Sequence, residues 1–263
     1  MMEAARVDTW NEFVAWSEDL NGWAFRGHQS ADWLLVNSLS RQLIQFCPDE
    51  ASWRTRESRA LRIFRRKAHI HLDARHAIED DLRCLAMMQH HGAPTRLLDF
   101  TKSPFVAAFF ALEKSKGDAA VFALNTPALW NMAPDFNPSL TRDVIDPRRP
   151  GQYAQYFASN ENSVLWCGEP SEMDRRLVAQ SGLFVVPGKS HLSLDQILCH
   201  YQAKRPLLKK IILPHSLRER AMQSLYRMNI THATLFPDLD GLARSIAYEL
   251  EVLWESTYDD SMR

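Results

Sequence analysis

The chain has 263 residues, 46% of them hydrophobic and 24% charged, which is enough apolar material for one sizeable core. Its 31 basic and 32 acidic side chains leave a formal net charge of −1. That balance excludes a whole-molecule field drawing in nucleic acid or an anionic membrane, though not a local basic patch.

No run of about 18 apolar residues occurs, so no membrane span is expected. The first residues, MMEAARVDTWNEF, are charged and lack an apolar leader stretch, which makes the cytoplasm the default location. Cys47, Cys84, Cys167 and Cys199 lie 32 to 83 residues apart, without metal-knuckle or redox spacing. Buried free thiols in a reducing compartment are the expectation.

In chain order, Val7 to Phe13 reads as a capped helix start, with Asp8 or Thr9 at the cap. Trp23-Ala24-Phe25 runs as a strand into Arg26-Gly27-His28. Residues 50–72 carry apolar side chains at helical spacing (Trp53, Leu61, Phe64, Ile70) among many Arg and Glu, the pattern of an exposed helix. Residues 77–90 form a second helix with Ile78, Leu82, Leu85 and Met88 on one face. Gly92-Ala93-Pro94 breaks it, and Thr95 to Asp99 reads as short strand or irregular. Ser103-Pro104 then starts an apolar helix, with serine at the cap and proline at the first helical position.

Ala119 to Leu124 is a buried strand. Residues 125–170 hold six of the 13 prolines and are expected to contain the longest loops. Gly182 to Val186 and Lys210 to Leu213 are strands, Leu217 to Met228 is helical, and Ala233 to Phe236 is expected to be a final strand. A last helix runs from about Leu242 to Trp254. The interleaving gives an α/β or α+β class: a single domain over residues 1–263 with a central mixed sheet flanked by helices.

Four segments could carry chemistry. In Phe25-Arg26-Gly27-His28, an arginine at a strand end presents a permanent charge and a planar fork suited to phosphate, and the glycine lets a ligand approach the backbone. The competing reading pairs Arg26 with an internal carboxylate. The stretch from Gln89-His90 to Ser103-Pro104 packs two histidines, Arg96, Asp99, Lys102 and several hydroxyls between two apolar helices. It suits a phosphate or ribose pocket at the N-terminus of the second helix. The alternative is a polar turn in which Asp99 bonds Arg96 and caps the following turn. No metal is expected there, because adjacent His90 and His91 diverge by about 100° on a helix.

Gln180, at the entrance of the strand 182–186, is placed to hydrogen-bond a ribose or amide, or simply a loop backbone. In Leu235-Phe236-Pro237-Asp238-Leu239-Asp240-Gly241, Asp240 either caps the last helix or supplies a carboxylate. Arg26 is expected to share one concave pocket with residues 95–103, and Asp99 to orient Arg96 or the 101–103 backbone. The basic helix 54–67 offers phosphate contacts or a plain solvated face.

Together these segments resemble the FRG family, named for its Phe/Tyr-Arg-Gly motif, over about residues 23–247. The likeness lies in Phe25-Arg26-Gly27, the Gln89 to Pro104 stretch, Gln180-x-Gly182-x-Phe184 and Phe236 to Gly241. It departs at Phe100, where tryptophan is expected, at His91, where tyrosine is expected, and at Phe184-Val185, which replaces Phe-Thr. More distantly, the pattern is similar to the NAD site of ADP-ribosyltransferases. That likeness implies that Arg26 holds the nicotinamide half of NAD, that Thr101 or Ser103 shapes its pocket, and that Gln180 stands where a catalytic Glu is expected.

The resemblance thus puts forward Arg26, Gln180 and Asp240 as catalytic residues. Phe25, Gly27, His28, Gln89, His90, Thr95, Arg96, Asp99, Thr101 and Ser103 are its ligand-binding residues. It implies NAD or a related nucleotide as substrate, N-glycosidic cleavage with transfer to a protein, a nucleic acid or water, no metal, no membrane partner, and a toxin or anti-phage setting. A non-catalytic nucleotide or nucleic-acid binding module is the alternative.

Overall fold

Seven strands form one mixed sheet in the computed structural model, which describes residues 2–47, 49–72, 78 and 80–250. In chain order the elements are β1 (Glu3–Arg6), α1 (Trp10–Glu18), β2 (Ala24–His28), α2 (Ser38–Phe46), α3 (Trp53–Ala68) and α4 (Asp81–His90). Next come β3 (Leu98–Thr101), α5 (Pro104–Leu112), β4 (Ala119–Leu124), α6 (Thr126–Leu129), a π-helical turn over Ala154–Ala158, β5 (Leu165–Gly168), α7 (Arg175–Ala179) and β6 (Gly182–Pro187). The chain continues with α8 (Leu194–Leu198), β7 (Leu208–Leu213), α9 (Arg218–Arg227), α10 (His232–Leu235) and α11 (Leu239–Tyr248).

The strand order is β1-β7-β4-β2-β3-β6-β5. Only β1 and β7 run parallel; every other neighbouring pair is antiparallel. Alternation along β4 sends Val121 and Ala123 to one face and Ala120 and Phe122 to the other. The first face packs against α1, α5 and α9 through Phe13, Phe109 and Met222. Toward β6 and β5 the same side is covered by α3, α4 and the π-helical turn, through Leu82, Leu85 and Phe157. The opposite face carries α8 and the approach to β7, with Ile197 and Leu207 in the core.

Helix starts follow from short polar side chains. Thr9 accepts from Glu12 N, Asp80 from Arg83 N, and Ser103 from Val106 N just ahead of Pro104. Each satisfies an amide that the first turn would leave unpaired.

Three sequence expectations change. Ala233 to Phe236 is not a strand but helix α10, because Thr231 and Thr234 exchange hydroxyl and backbone hydrogen bonds in a capping box. The cap of the last helix is Asp238, whose side chain accepts from Gly241 N, whereas Asp240 sits exposed in the first turn. The four cysteines are free, but Cys199 is exposed. The edge strand β1 has no signal in the sequence, being four exposed residues that carry no alternation. The expected helix ends at Ala77 and Trp254 lie outside the described residues. No helix among the described residues is long and apolar enough to cross a membrane.

Candidate functional site

The cleft begins where two strands part. β2 and β3 are joined by a single pair, Phe25 with Thr101. Beyond it β2 follows β4 while β3 follows β6, so the sheet opens between them. Arg26 fills that opening. Its Nη1 donates to the Asp99 carbonyl oxygen at 2.6 Å, taking the place of a ladder partner, and lies 3.8 Å from Asp99 Oδ2. Its Nε donates to His28 Nε2 at 3.2 Å. The side chain is 17% exposed. Burial lowers the Arg26 pKa from its ordinary value; the Asp99 carboxylate opposes that shift and the charge of Arg41 adds to it.

Since Nε2 of His28 accepts from Arg26, the ring is held neutral with its proton on Nδ1. Burial, then the positive charges of Arg26, Arg41 and Lys210, push its pKa down to about 3, against the pull of the Trp33 backbone. His28 therefore orients the guanidinium and adds no charge.

Gly27 serves packing. A Cβ there would stand 2.0 Å from the Ala107 carbonyl oxygen and 2.6 Å from Ala111 N, so glycine is what lets α5 press onto β2. The sequence alone assigns this glycine to ligand approach, and the packing against α5 accounts for it instead.

A cleft of about 740 Å³ opens over these residues. Phe25, Arg26, Gly27, His28, Asp99, Thr101 and Gln180 line it, joined by Trp33 and Leu34 from the loop after β2, by Arg41, Phe110 and Arg176, and by Asp32. Residues from positions 26, 101 and 180 thus meet in one cavity, as expected for Arg26 and the 95–103 segment. An adjoining polar chamber of about 400 Å³ shares Arg26, Arg41 and Asp99 and adds Gln42, Gln45 and Gln89. A smaller cavity of about 80 Å³ lies between Gln89, His90, Asp99, Asp174, Arg176 and Gln180.

Asp99 does not bond Arg96. Its Oδ1 accepts from Gln89 Nε2 at 2.6 Å, and the same amide accepts from Thr95 Oγ1. Thr101 Oγ1 donates to the Gln180 carbonyl at 2.7 Å and accepts from Ser103 N. Gln180 Nε2 donates to the Leu235 carbonyl at 3.0 Å, and Arg176 stacks over the Phe236 ring at 4.6 Å. The 235–236 corner therefore backs the cleft without entering it.

Several sequence candidates stand elsewhere. Arg96 is wholly buried against Glu57, so it cannot reach a ligand in the cleft. Thr95 is buried, and Ser103 is used as the α5 cap. His90 bonds Asp174 at 3.1 Å in the small cavity, away from the main cleft. Asp240 lines none of the three cavities.

Sequence reasoning missed Arg41 and Trp33. Arg41 lies on α2, its Nη1 donating to the Val36 carbonyl at 2.7 Å, and it lines both larger cavities. Burial lowers its pKa, opposed by Asp99. Trp33, 55% exposed, meets the His28 ring edge-on. Among the described residues, no group of three or more His, Cys, Asp or Glu is placed to hold a metal ion.

Residues 21–120 match the FRG domain. That span holds Arg26, Arg41, Gln89 and Asp99, whereas the segments around Gln180 and Phe236 lie beyond it. No curated protein and no solved structure matches the chain.

Proposed function

We propose that this cleft, in a chain whose residues 21–120 match the FRG domain, binds NAD or a closely related nucleotide and that the protein cleaves the N-glycosidic bond, passing the ADP-ribosyl group to water or to a macromolecular acceptor. One observation carries this reading. Arg26, Arg41 and Arg176 face a single cleft that holds two carboxylates, Asp32 and Asp99, beside a largely apolar wall that includes Trp33, Leu34 and Phe110. Three fixed positive charges against two negative ones, with His28 held neutral, favour an anion. The aromatic wall favours a planar ring attached to it. A nucleotide combines the two.

The likeness to ADP-ribosyltransferases adds the reaction. It assigns Arg26 to the nicotinamide half of NAD and the Thr101 region to the pocket, and both groups line this cleft. The test is direct. Purified protein incubated with NAD should release nicotinamide, seen by chromatography or mass spectrometry, and should bind ADP-ribose in calorimetry. Absence of both would dismiss the nucleotide site.

A second reading is a non-catalytic nucleotide-binding module. The neutral amide of Gln180, engaged by the Leu235 carbonyl, favours it. Binding of ADP-ribose without any release of nicotinamide would select that reading.

A further inference from the structure

Breaking an N-glycosidic bond builds positive charge at the sugar C1′, and a nearby carboxylate stabilises it. Gln180 carries no charge to offer. Asp238, the cap of α11, and Asp240 line none of the three adjoining cavities. Of these three cavities Asp174 lines the smallest alone, where it caps α7 and bonds His90. Asp32 is exposed on the loop after β2 and lines the main cleft alone.

Asp99 differs from all of these. It lines the main cleft, the polar chamber and the small cavity beside Gln180, so it stands where the three adjoin. Its Oδ1 is fixed by Gln89 at 2.6 Å. Its Oδ2 is 3.8 Å from Arg26 Nη1, whose hydrogen bond goes to the Asp99 carbonyl instead. One oxygen is therefore anchored while the other stays available, on a side chain that is 57% exposed.

We propose that Asp99 is the catalytic carboxylate of the cleft, facing the C1′ of the nicotinamide ribose and doing what Gln180 cannot. The role rests on the reaction given under Proposed function. The C1′–N bond breaks and its electron pair goes to the ring nitrogen, so nicotinamide leaves neutral. The cation at C1′ lies against Asp99. A water oxygen held beside Asp99 forms the new C1′–O bond; its proton passes to Asp99 and on to solvent. NAD and water give ADP-ribose, nicotinamide and one proton.

Steady-state nicotinamide release, ADP-ribose affinity and melting temperature, measured on the full chain, decide the matter. Asp99→Asn keeps an acceptor for Gln89 and removes the charge, so kcat should fall by about 100-fold or more with no weakening of ADP-ribose binding. Asp99→Glu keeps the charge, displaced by one methylene, and should retain a kcat between the two. If Asp99→Asn does not fold, Asp99→Glu alone decides, by losing kcat at constant Kd. Wild-type turnover in Asp99→Asn, or parallel loss of affinity, stability and rate in both variants, overturns the role of Asp99 while leaving the reaction standing. A wild type that binds ADP-ribose but releases no nicotinamide overturns the reaction itself, and this role with it.

Discussion

Arg96 and Glu57 form a two-pronged ion pair inside the core, with side-chain exposures of 0% and 6%. Further hydrogen bonds converge on the pair. Arg96 Nη1 donates to the Pro187 and Gly188 carbonyls at 3.0 Å each, and Tyr153 donates to Glu57 Oε1 at 2.8 Å. The pair thus ties α3, the entrance to β3, the end of β6 and the π-helical turn to one point.

Removing one partner would leave the other charge buried and alone, which costs about 3–5 kcal/mol in such settings. Arg96→Met should therefore lower stability by that order in denaturant melts. The double variant Glu57→Gln with Arg96→Met should recover part of the loss, since no unpaired charge remains. A double variant no more stable than the single one would show that the loss comes from packing around the guanidinium.

This pair also marks the limit of what the sequence makes legible. Helix starts such as Thr9 and Ser103-Pro104 are local, so a few adjacent residues suffice to read them. Buried strands such as Ala119 to Leu124 announce themselves by a continuous apolar run. Glu57 and Arg96 lie 39 positions apart, and each resembles a surface charge among other charges. Arg96 consequently reads as a pocket residue, although its charge is consumed internally. Arg41 fails in the opposite direction: a single arginine on an amphipathic helix carries no motif, and only the parting of β2 from β3 brings it to the cleft. The short threonine-rich segment before Phe236 shows a third cause, since β-branched residues suggest strand while the hydroxyl caps make a helical turn.

Gly27→Ala should be poorly tolerated. The new methyl would meet the Ala107 carbonyl at 2.0 Å, and that atom is backbone of a helix packed along β2. Overpacking of this kind costs about 1–3 kcal/mol or more, because no flexible side chain can yield. A melting temperature equal to wild type would mean that α5 can shift away from the strand at little cost.

Arg26→Lys tests how much of the arginine is structural. The guanidinium serves the Asp99 carbonyl through one nitrogen and His28 through another, which an ammonium cannot reproduce together. One lost internal hydrogen bond is worth about 1 kcal/mol. Loss of the planar fork to an anionic ligand should weigh more, so ADP-ribose affinity should drop by about tenfold or more while the fold persists. Affinity falling only in step with stability would make Arg26 a strand-spacing residue and nothing else.

His28 gives the cleft a pH dependence whose sign is fixed by its surroundings. Its ordinary pKa of 6.5 falls to about 3 in the folded protein, from burial first and then from the charges of Arg26, Arg41 and Lys210. Between those values the unfolded chain binds the proton and the folded one does not, so stability rises with pH across that window. The contribution is complete above pH 6.5 and is lost as pH falls toward 3, with a slope approaching about 1.4 kcal/mol per pH unit. His28→Gln keeps an acceptor for Arg26 Nε and removes the titrating ring. Urea melts from pH 7 down to pH 4 should therefore show wild-type stability declining more steeply than that of the variant, by up to one proton. Parallel curves would show that the folded protein protonates His28 without strain, which requires the Arg26 contact to open. Nucleotide affinity would then change over the same pH range, because the guanidinium that faces the cleft would have lost the ring that orients it.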